Sequence, residues 1–314
     1  MLNDEYYVIK ITPMYNFNKN ILPNLYFLET DILKKFIKYN FIQKLISSFH
    51  DYDNLYLVTK FYEGNNILNY LDRKWTEFQI QFFSASIIQS LMYLRKENLI
   101  HRDIHFGNIV FDKEKYISLI DFHITIEYKK KNNPKNDFIG TPLLCAPEMM
   151  NHSVYDYNSD YYRLGGMIYF IIFNTFPNII KKQKNLTDFR INAHEIKNYS
   201  SLCIDFINKL LENDYQKRIG FNNIYELINH EWFKNFDWKK FINKQMVSPF
   251  INETIKEIDY CKNLYIYQKR PIFPYTNLLK NNTIKSLFIN YDKVNDDVIK
   301  NIYKKLNIFS LGNF

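Results

Sequence analysis

Apolar positions along this chain first gather in short runs and then recur at helical spacing. Tyr6 to Ile11 reads as a strand, and Pro13 ends it. Leu25, Leu28, Ile32, Phe36 and Tyr39 recur every three or four residues, which predicts a helix over Leu22 to Tyr39. Phe41 to Phe49 and Leu55 to Lys60 read as two strands joined by the polar turn His50-Asp51-Tyr52-Asp53-Asn54. From Ile67 onward the pattern turns mainly helical. Phe82 to Asn98 is amphipathic, Leu164 to Phe173 is an apolar run that reads as a buried helix, and Tyr199 to Leu211 and Ile224 to Asn229 are further helices. Val110-Phe111 and Ser118-Leu119-Ile120 interrupt them as two short strands around the turn Asp112-Lys113-Glu114-Lys115. After Trp232-Phe233 the pattern becomes irregular, with Pro249, Pro271 and Pro274. The order predicts an α+β fold: a small sheet with one helix, then a helical body carrying a hairpin.

At 314 residues the chain suits one two-lobed unit or two small domains. Its 46% hydrophobic content supports an ordinary packed core, and the many Tyr and Phe read as a bias of the source genome. The start, Met1-Leu2-Asn3-Asp4-Glu5, is acidic and does not read as a signal peptide. Leu164 to Phe173 is too short to span a bilayer, so no membrane span is expected. Cys145, Cys203 and Cys261 are odd in number and lack metal-ligand spacing, which suggests reduced thiols in an intracellular protein, cytoplasmic or nuclear. The net charge of +8 reads as a lysine-rich solvated surface. No nucleic-acid motif accompanies it, so no nucleic-acid partner is expected.

The chemistry concentrates in His101-Arg102-Asp103-Ile104-His105-Phe106-Gly107-Asn108 and in Asp121-Phe122-His123, 18 positions after Asp103. A candidate base and two candidate metal ligands thus lie at the ends of one predicted hairpin. Phosphoryl transfer needs such equipment, because its transition state is stabilised by positioning and charge neutralisation. The two stretches resemble the catalytic loop (H-R-D-L-K-P-E-N) and the D-F-G motif of protein kinases. Gly140-Thr141-Pro142 and Ala146-Pro147-Glu148 resemble the G-T-P…A-P-E segment. Asp160-Tyr161-Tyr162-Arg163-Leu164-Gly165 resembles D-W-W-S-L-G, and Lys217-Arg218-Ile219-Gly220 resembles K-R-L-G, which pairs Arg218 with Glu148. The likeness runs in order from residue 6 to about residue 240.

The resemblance implies a bilobal protein kinase fold, with a truncated β-rich N-lobe over 1–62, a helical C-lobe over 63–236 and a C-terminal tail over 237–314. Asp237-Trp238-Lys239-Lys240-Phe241 and Ser248-Pro249-Phe250 resemble the tail of the AGC group, to which cAMP-dependent kinase belongs. Phe288 and Tyr291 match the aromatic motif with which such tails dock on their own N-lobe, although ordinary core packing would also bury them. The surrounding run and the residue His123 are similar to the YANK branch of that group.

The implied activity is transfer of the γ-phosphate of ATP to a Ser or Thr of a protein substrate, with Mg2+. Lys10, in a strand resembling V-A-I-K, would reach the α- and β-phosphates, and Glu29, 19 residues on in a predicted helix, would hold it. Asp103 would be the base, and Asn108 and Asp121 the metal ligands. Thr59 takes the gatekeeper position before the hinge Lys60-Phe61-Tyr62. Arg102 matches the arginine that grips the activation loop, where Asp137 stands at the usual phosphorylation position; a solvated loop aspartate is the plainer reading. Four departures bear on activity. His105 replaces a lysine, removing a permanent charge beside the transferring phosphate. Phe106 and Gly107 replace Pro and Glu, and His123 replaces Gly. The chain begins nine residues before Lys10, leaving no room for a glycine-rich loop: either the recorded start is internal to a longer protein or the lid is missing. The expectation is a Ser/Thr kinase, impaired or N-terminally incomplete, with a pseudokinase acting as a binding scaffold as the alternative.

Overall fold

The structure is a computed structural model and describes residues 6–13, 24–51, 53–128, 142–150, 156–177, 190–192 and 196–253. These fall into two compact units: 6–13, 24–38, 43–51 and 53–61 form the first, and 39–42 with the described residues of 62–253 form the second.

The first unit is a three-stranded antiparallel sheet with one helix. Its elements are β1 (Tyr7–Pro13), α1 (Asn24–Lys35), β2 (Leu45–His50) and β3 (Asn54–Lys60), with β3 in the middle. The turn between β2 and β3 is held by Asp51. Its Oδ1 accepts the N–H groups of Asp53 and Asn54 at 2.8 and 2.7 Å, and its Oδ2 accepts the Tyr56 hydroxyl at 2.7 Å. Phe49 and Tyr56 then stack across the strands at 4.7 Å, over a core completed by Val58, Tyr7, Ile9 and Ile46.

The strand expected from Phe41 begins only at Leu45. Phe41 adopts φ +65°, and its carbonyl is taken by the Leu119 N–H (2.9 Å) and the Ser90 hydroxyl (2.7 Å). Its ring stacks on Phe241 at 4.8 Å. Residues 39–42 are therefore captured by the second unit, and alternation of apolar residues gave no sign of that.

In the second unit, α2 (Glu77–Lys96) is the central buried helix. It starts ahead of the expected Phe82 because Thr76 and Gln79 form a reciprocal capping box, at 3.2 and 2.9 Å. There follow β4 (Leu99–Ile100), β5 (Ile109–Phe111), β6 (Ile117–Leu119) and β7 (Ile126–Glu127), with β5 paired to β6 and β4 to β7. The remaining helices are α3 (Pro147–Met150), α4 (Tyr157–Phe173), α5 (Ser201–Leu210), α6 (Tyr225–Ile228) and α7 (Trp238–Ile242).

Residues 238–253 pack within the second unit. Asp237 caps α7 through the Lys240 N–H at 3.0 Å. Phe241 meets Phe82, and Phe250 meets Trp75 and Phe111, at 4.9 to 5.1 Å. Ser248 donates to the Lys115 carbonyl at 2.7 Å, and Arg73 pairs with Glu253. The expected pairing of Arg218 with Glu148 is present and fully buried, with two parallel bonds of 2.7 and 2.9 Å. Among the described residues no helix is long and apolar enough to cross a membrane, and the cysteines Cys145 and Cys203 are buried.

Candidate active site

The candidate catalytic segment, 101–108, is anchored by α4. Asp160, fully buried, accepts the backbone N–H groups of His101 (2.9 Å) and Arg102 (3.1 Å). Burial pushes its carboxyl up to about 6, against the lowering influence of Arg163 and of those two amides. This grip holds Arg102 at φ +69°, a conformation that non-glycine residues adopt only when the surroundings impose it. The Arg102 Nε donates to the Ile124 carbonyl at 2.6 Å. His101 lies buried edge-on to Phe122, with ring centroids 4.8 Å apart, and burial brings its pKa down to about 4.

Asp103 follows, half-buried, and two side chains converge on its Oδ2. The Asn108 amide nitrogen donates at 3.2 Å, and also to the Asp103 carbonyl at 3.0 Å; the His105 Nε2 lies at 3.3 Å. His105 Nδ1 accepts the Gly107 N–H at 3.0 Å, so in the neutral ring the proton belongs on Nε2, facing Asp103. Gly107 is needed for that fold-back, because a Cβ there would stand 2.7 Å from the imidazole Cε1. Burial alone would raise the Asp103 carboxyl. The hydrogen bond and charge of His105, with Arg163 and His101 behind them, outweigh it and hold the carboxyl below its usual range. The group is thereby kept as an acceptor.

The β5–β6 ladder carries the second half. Ile109 stands opposite Leu119, and the Ile120 N–H reaches the Asn108 carbonyl at 2.9 Å, so Asn108 and Asp121 leave the hairpin at the same end. Asp121 adopts φ +65° and is about one-third exposed. With the Asn108 amide nitrogen committed to Asp103, its side-chain oxygen is the atom left for a cation. One amide oxygen and one carboxylate fit Mg2+, which is commonly bound by one or two protein oxygens, phosphates and water. Among the described residues no cluster of three or more His, Cys, Asp or Glu could hold a metal ion without such help. His123 adds a competing contact, its Nδ1 lying 2.8 Å from Asp121 Oδ1.

In the first unit the Lys10 Nζ lies 2.9 Å from Glu29 Oε2, with Glu29 buried and Lys10 two-fifths exposed. The strand and helix phases predicted from sequence thus bring this pair together. Thr59 is buried near the end of β3, where its hydroxyl accepts from Gln43 Nε2 at 3.1 Å. Phe61 meets the Tyr6 ring edge-on at 6.0 Å. Asp137, Phe288 and Tyr291 lie outside the described residues.

Sequence reasoning assigned no role to Arg163. It lies on α4 one turn after Asp160, fully buried, and its three guanidinium nitrogens find no hydrogen-bond partner. Its charge lowers the carboxyls of Asp103 and Asp160 and the imidazole of His101. The available signal was an arginine in the fourth place of Asp160-Tyr161-Tyr162-Arg163, where the resembled motif carries serine.

Residues 2–233 match the protein kinase domain family, and the chain belongs to that family. Its relatives include a probable serine/threonine-protein kinase of Dictyostelium discoideum, 33% identical over 240 residues, which are 75% of this chain and 52% of that protein. Another is the serine/threonine-protein kinase sgk-1 of Caenorhabditis elegans, 31% identical over 74% of this chain and 51% of its own length. The serine/threonine-protein kinase Sgk1 of Rattus norvegicus is 30% identical over 71% and 53%. The chain spans about half the length of these curated relatives. The α+β kinase fold expected from sequence is borne out.

Proposed function

We propose that this protein is an ATP-dependent serine/threonine protein kinase in which Asp103 orients the substrate hydroxyl and takes its proton. The observation that carries the reading is the convergence of Asn108 and His105 on Asp103 Oδ2, at 3.2 and 3.3 Å. It fixes the carboxylate, leaves Oδ1 for the hydroxyl, and turns the Asn108 oxygen away from Asp103. Kinases of this family generally use ATP and Mg2+, and bound MgATP supplies the phosphoryl group to be transferred. Asn108 and Asp121 would hold the metal. Lys10, steadied by Glu29, would neutralise the α- and β-phosphates, while His105 would stand beside the transferring group. The protein would act inside the cell, where ATP is abundant and the buried thiols of Cys145 and Cys203 stay reduced.

A second reading is a pseudokinase that binds a partner or nucleotide without transferring phosphate. It is favoured by the His123 contact on Asp121 and by the imidazole in place of the catalytic-loop lysine. The two separate in a phosphotransfer assay on a generic Ser/Thr protein, with Asp103→Asn as the blank. Transfer that depends on Asp103 supports the kinase. Absence of transfer, with nucleotide still stabilising the fold, supports the scaffold.

A further inference from the structure

His123 brings a ring nitrogen to the end of the hairpin where Asp121 stands. The resembled D-F-G motif has glycine at that position and offers no side chain there. Here the imidazole folds back on the carboxylate, with Nδ1 2.8 Å from Asp121 Oδ1. Two neighbouring ligands of one cation, each about 2.1 Å from it and at about 90° to one another, lie ~3.0 Å apart. The pair thus stands at the spacing with which one ion would be shared. Without an ion, a proton on Nδ1 bridges the same gap; a bound ion replaces that proton, and the neutral ring carries its own on Nε2. Asp121 is set by φ +65° just beyond the β5–β6 hairpin, whose Ile120 N–H is tied to the Asn108 carbonyl at 2.9 Å. Asn108 is buried, its amide nitrogen is committed to Asp103, and its side-chain oxygen remains for a cation. The His123 and Asp121 side chains are 44% and 35% exposed, so an ion can reach them with part of its water shell.

We propose that His123 Nδ1, Asp121 and the Asn108 oxygen form a site for a first-row transition-metal ion of the Zn2+ type, with His123 as the residue that selects it over Mg2+. The proposal rests on the reading of Asn108 and Asp121 as cation donors. The occupant follows from the donor set. Mg2+ is a hard ion that takes carboxylate, phosphate and water oxygens, so an imidazole adds nothing to its binding. Zn2+ takes imidazole nitrogen and carboxylate oxygen together at these distances. Three protein donors leave a fourth position of a tetrahedral Zn2+ open to water or to a nucleotide phosphate. The neighbouring His105–Asp103 pair is a poorer site. His105 Nδ1 is engaged by the Gly107 N–H at 3.0 Å, so its Nε2, 3.3 Å from Asp103, carries the ring proton and has no lone pair to give.

The test is calorimetric titration of the full chain with Zn2+ and, separately, with Mg2+, without nucleotide, on wild type, His123→Gly, Asp121→Asn and His105→Gln. Wild type should bind one equivalent of Zn2+ tightly. His123→Gly should weaken Zn2+ at least tenfold, since losing even a supporting partner of a metal ligand costs about 10–100-fold, and it should not weaken Mg2+. Asp121→Asn should weaken both ions, and His105→Gln should keep the Zn2+ site. Thermal melting shows which variants are folded; His123→Gln, which lacks the ring nitrogen but keeps a side chain, gives the same reading should the glycine variant unfold. Zn2+ affinity unchanged in a folded His123 variant overturns the proposal. So does the absence of saturable Zn2+ binding, or its loss in His105→Gln alone, which would put the ion on Asp103. Failure of phosphate transfer would remove the kinase reading, while the Zn2+ titrations would still decide the role of His123.

Discussion

Glu148→Gln removes one charge from the buried Glu148–Arg218 pair and leaves its shape almost intact. Arg218, with no exposed side-chain surface, then becomes a buried cation without a counterion, held by the carbonyls of Asn158 and Glu212 at 2.8 to 3.0 Å, by the Tyr162 ring and by the one amide oxygen that glutamine keeps. Breaking one partner of such a pair costs about 3–5 kcal/mol, because the other charge stays buried without its counterion. For a domain of this size that lowers Tm by about 6–20 °C. The double variant Glu148→Leu/Arg218→Met removes both ions. It leaves the Asn158 and Glu212 carbonyls and the Ser159 hydroxyl, which donates to Glu148 at 3.1 Å, each short of a partner, at roughly 1–3 kcal/mol for any that stays unpaired. The double variant should therefore cost less than the sum of Glu148→Leu and Arg218→Met, because neither ion is then left buried alone. Denaturant unfolding of wild type, Glu148→Gln, Glu148→Leu, Arg218→Met and the double variant measures this directly. A single-variant cost below about 1 kcal/mol, or a double-variant cost equal to the sum of the singles, would show that the pair does not act as this geometry requires.

Other outcomes follow from the site. Lys10→Met should reduce phosphate transfer by about 10²–10³-fold, the scale of one lost charge-aimed donor; transfer that survives would remove Lys10 from phosphate neutralisation. His105→Lys should speed the chemical step in single-turnover measurements, since it places a permanent cation beside Asp103, and an unchanged or slower step would mean that His105 is the better-adapted residue. On acidification, His101 and Asp160 oppose one another. His101, depressed from 6.5 to about 4, contributes stability that is complete above 6.5 and lost as pH falls toward 4, roughly 3 kcal/mol; Asp160, raised from 3.8 to about 6, contributes stability that is complete below 3.8 and lost as pH rises through 6. His101→Phe removes only the first, so between pH 6 and 4 it should gain stability relative to wild type, and identical pH curves in urea unfolding would contradict the assignment.

What could be read from the sequence was whatever local spacing determines. The Lys10–Glu29 pair follows from a strand phase and a helix phase 19 residues apart, and the hairpin that sets Asn108 beside Asp121 follows from two short apolar runs around a polar turn. Arg218 and Glu148 were legible through motif order alone, since 70 residues separate them. What escaped depends on partners far along the chain. Phe41 leaves the strand pattern because Ser90, Leu119 and Phe241 claim it. Residues 238–253, irregular by periodicity, are fixed by aromatic contacts to α2 and to the chain before it. The Thr76–Gln79 capping box was visible in principle and moves the start of α2. The engagement of Asp121 by His123 and the buried position of Arg163 needed side-chain geometry.

The most direct test of the account is transfer of γ-phosphate from MgATP to a generic Ser/Thr protein, by purified wild type and by Asp103→Asn in parallel. The account predicts transfer by wild type that falls by orders of magnitude in Asp103→Asn, while nucleotide-dependent stabilisation of the variant persists. Equal transfer by the two proteins, or none by wild type under conditions where MgATP raises its melting temperature, would contradict it.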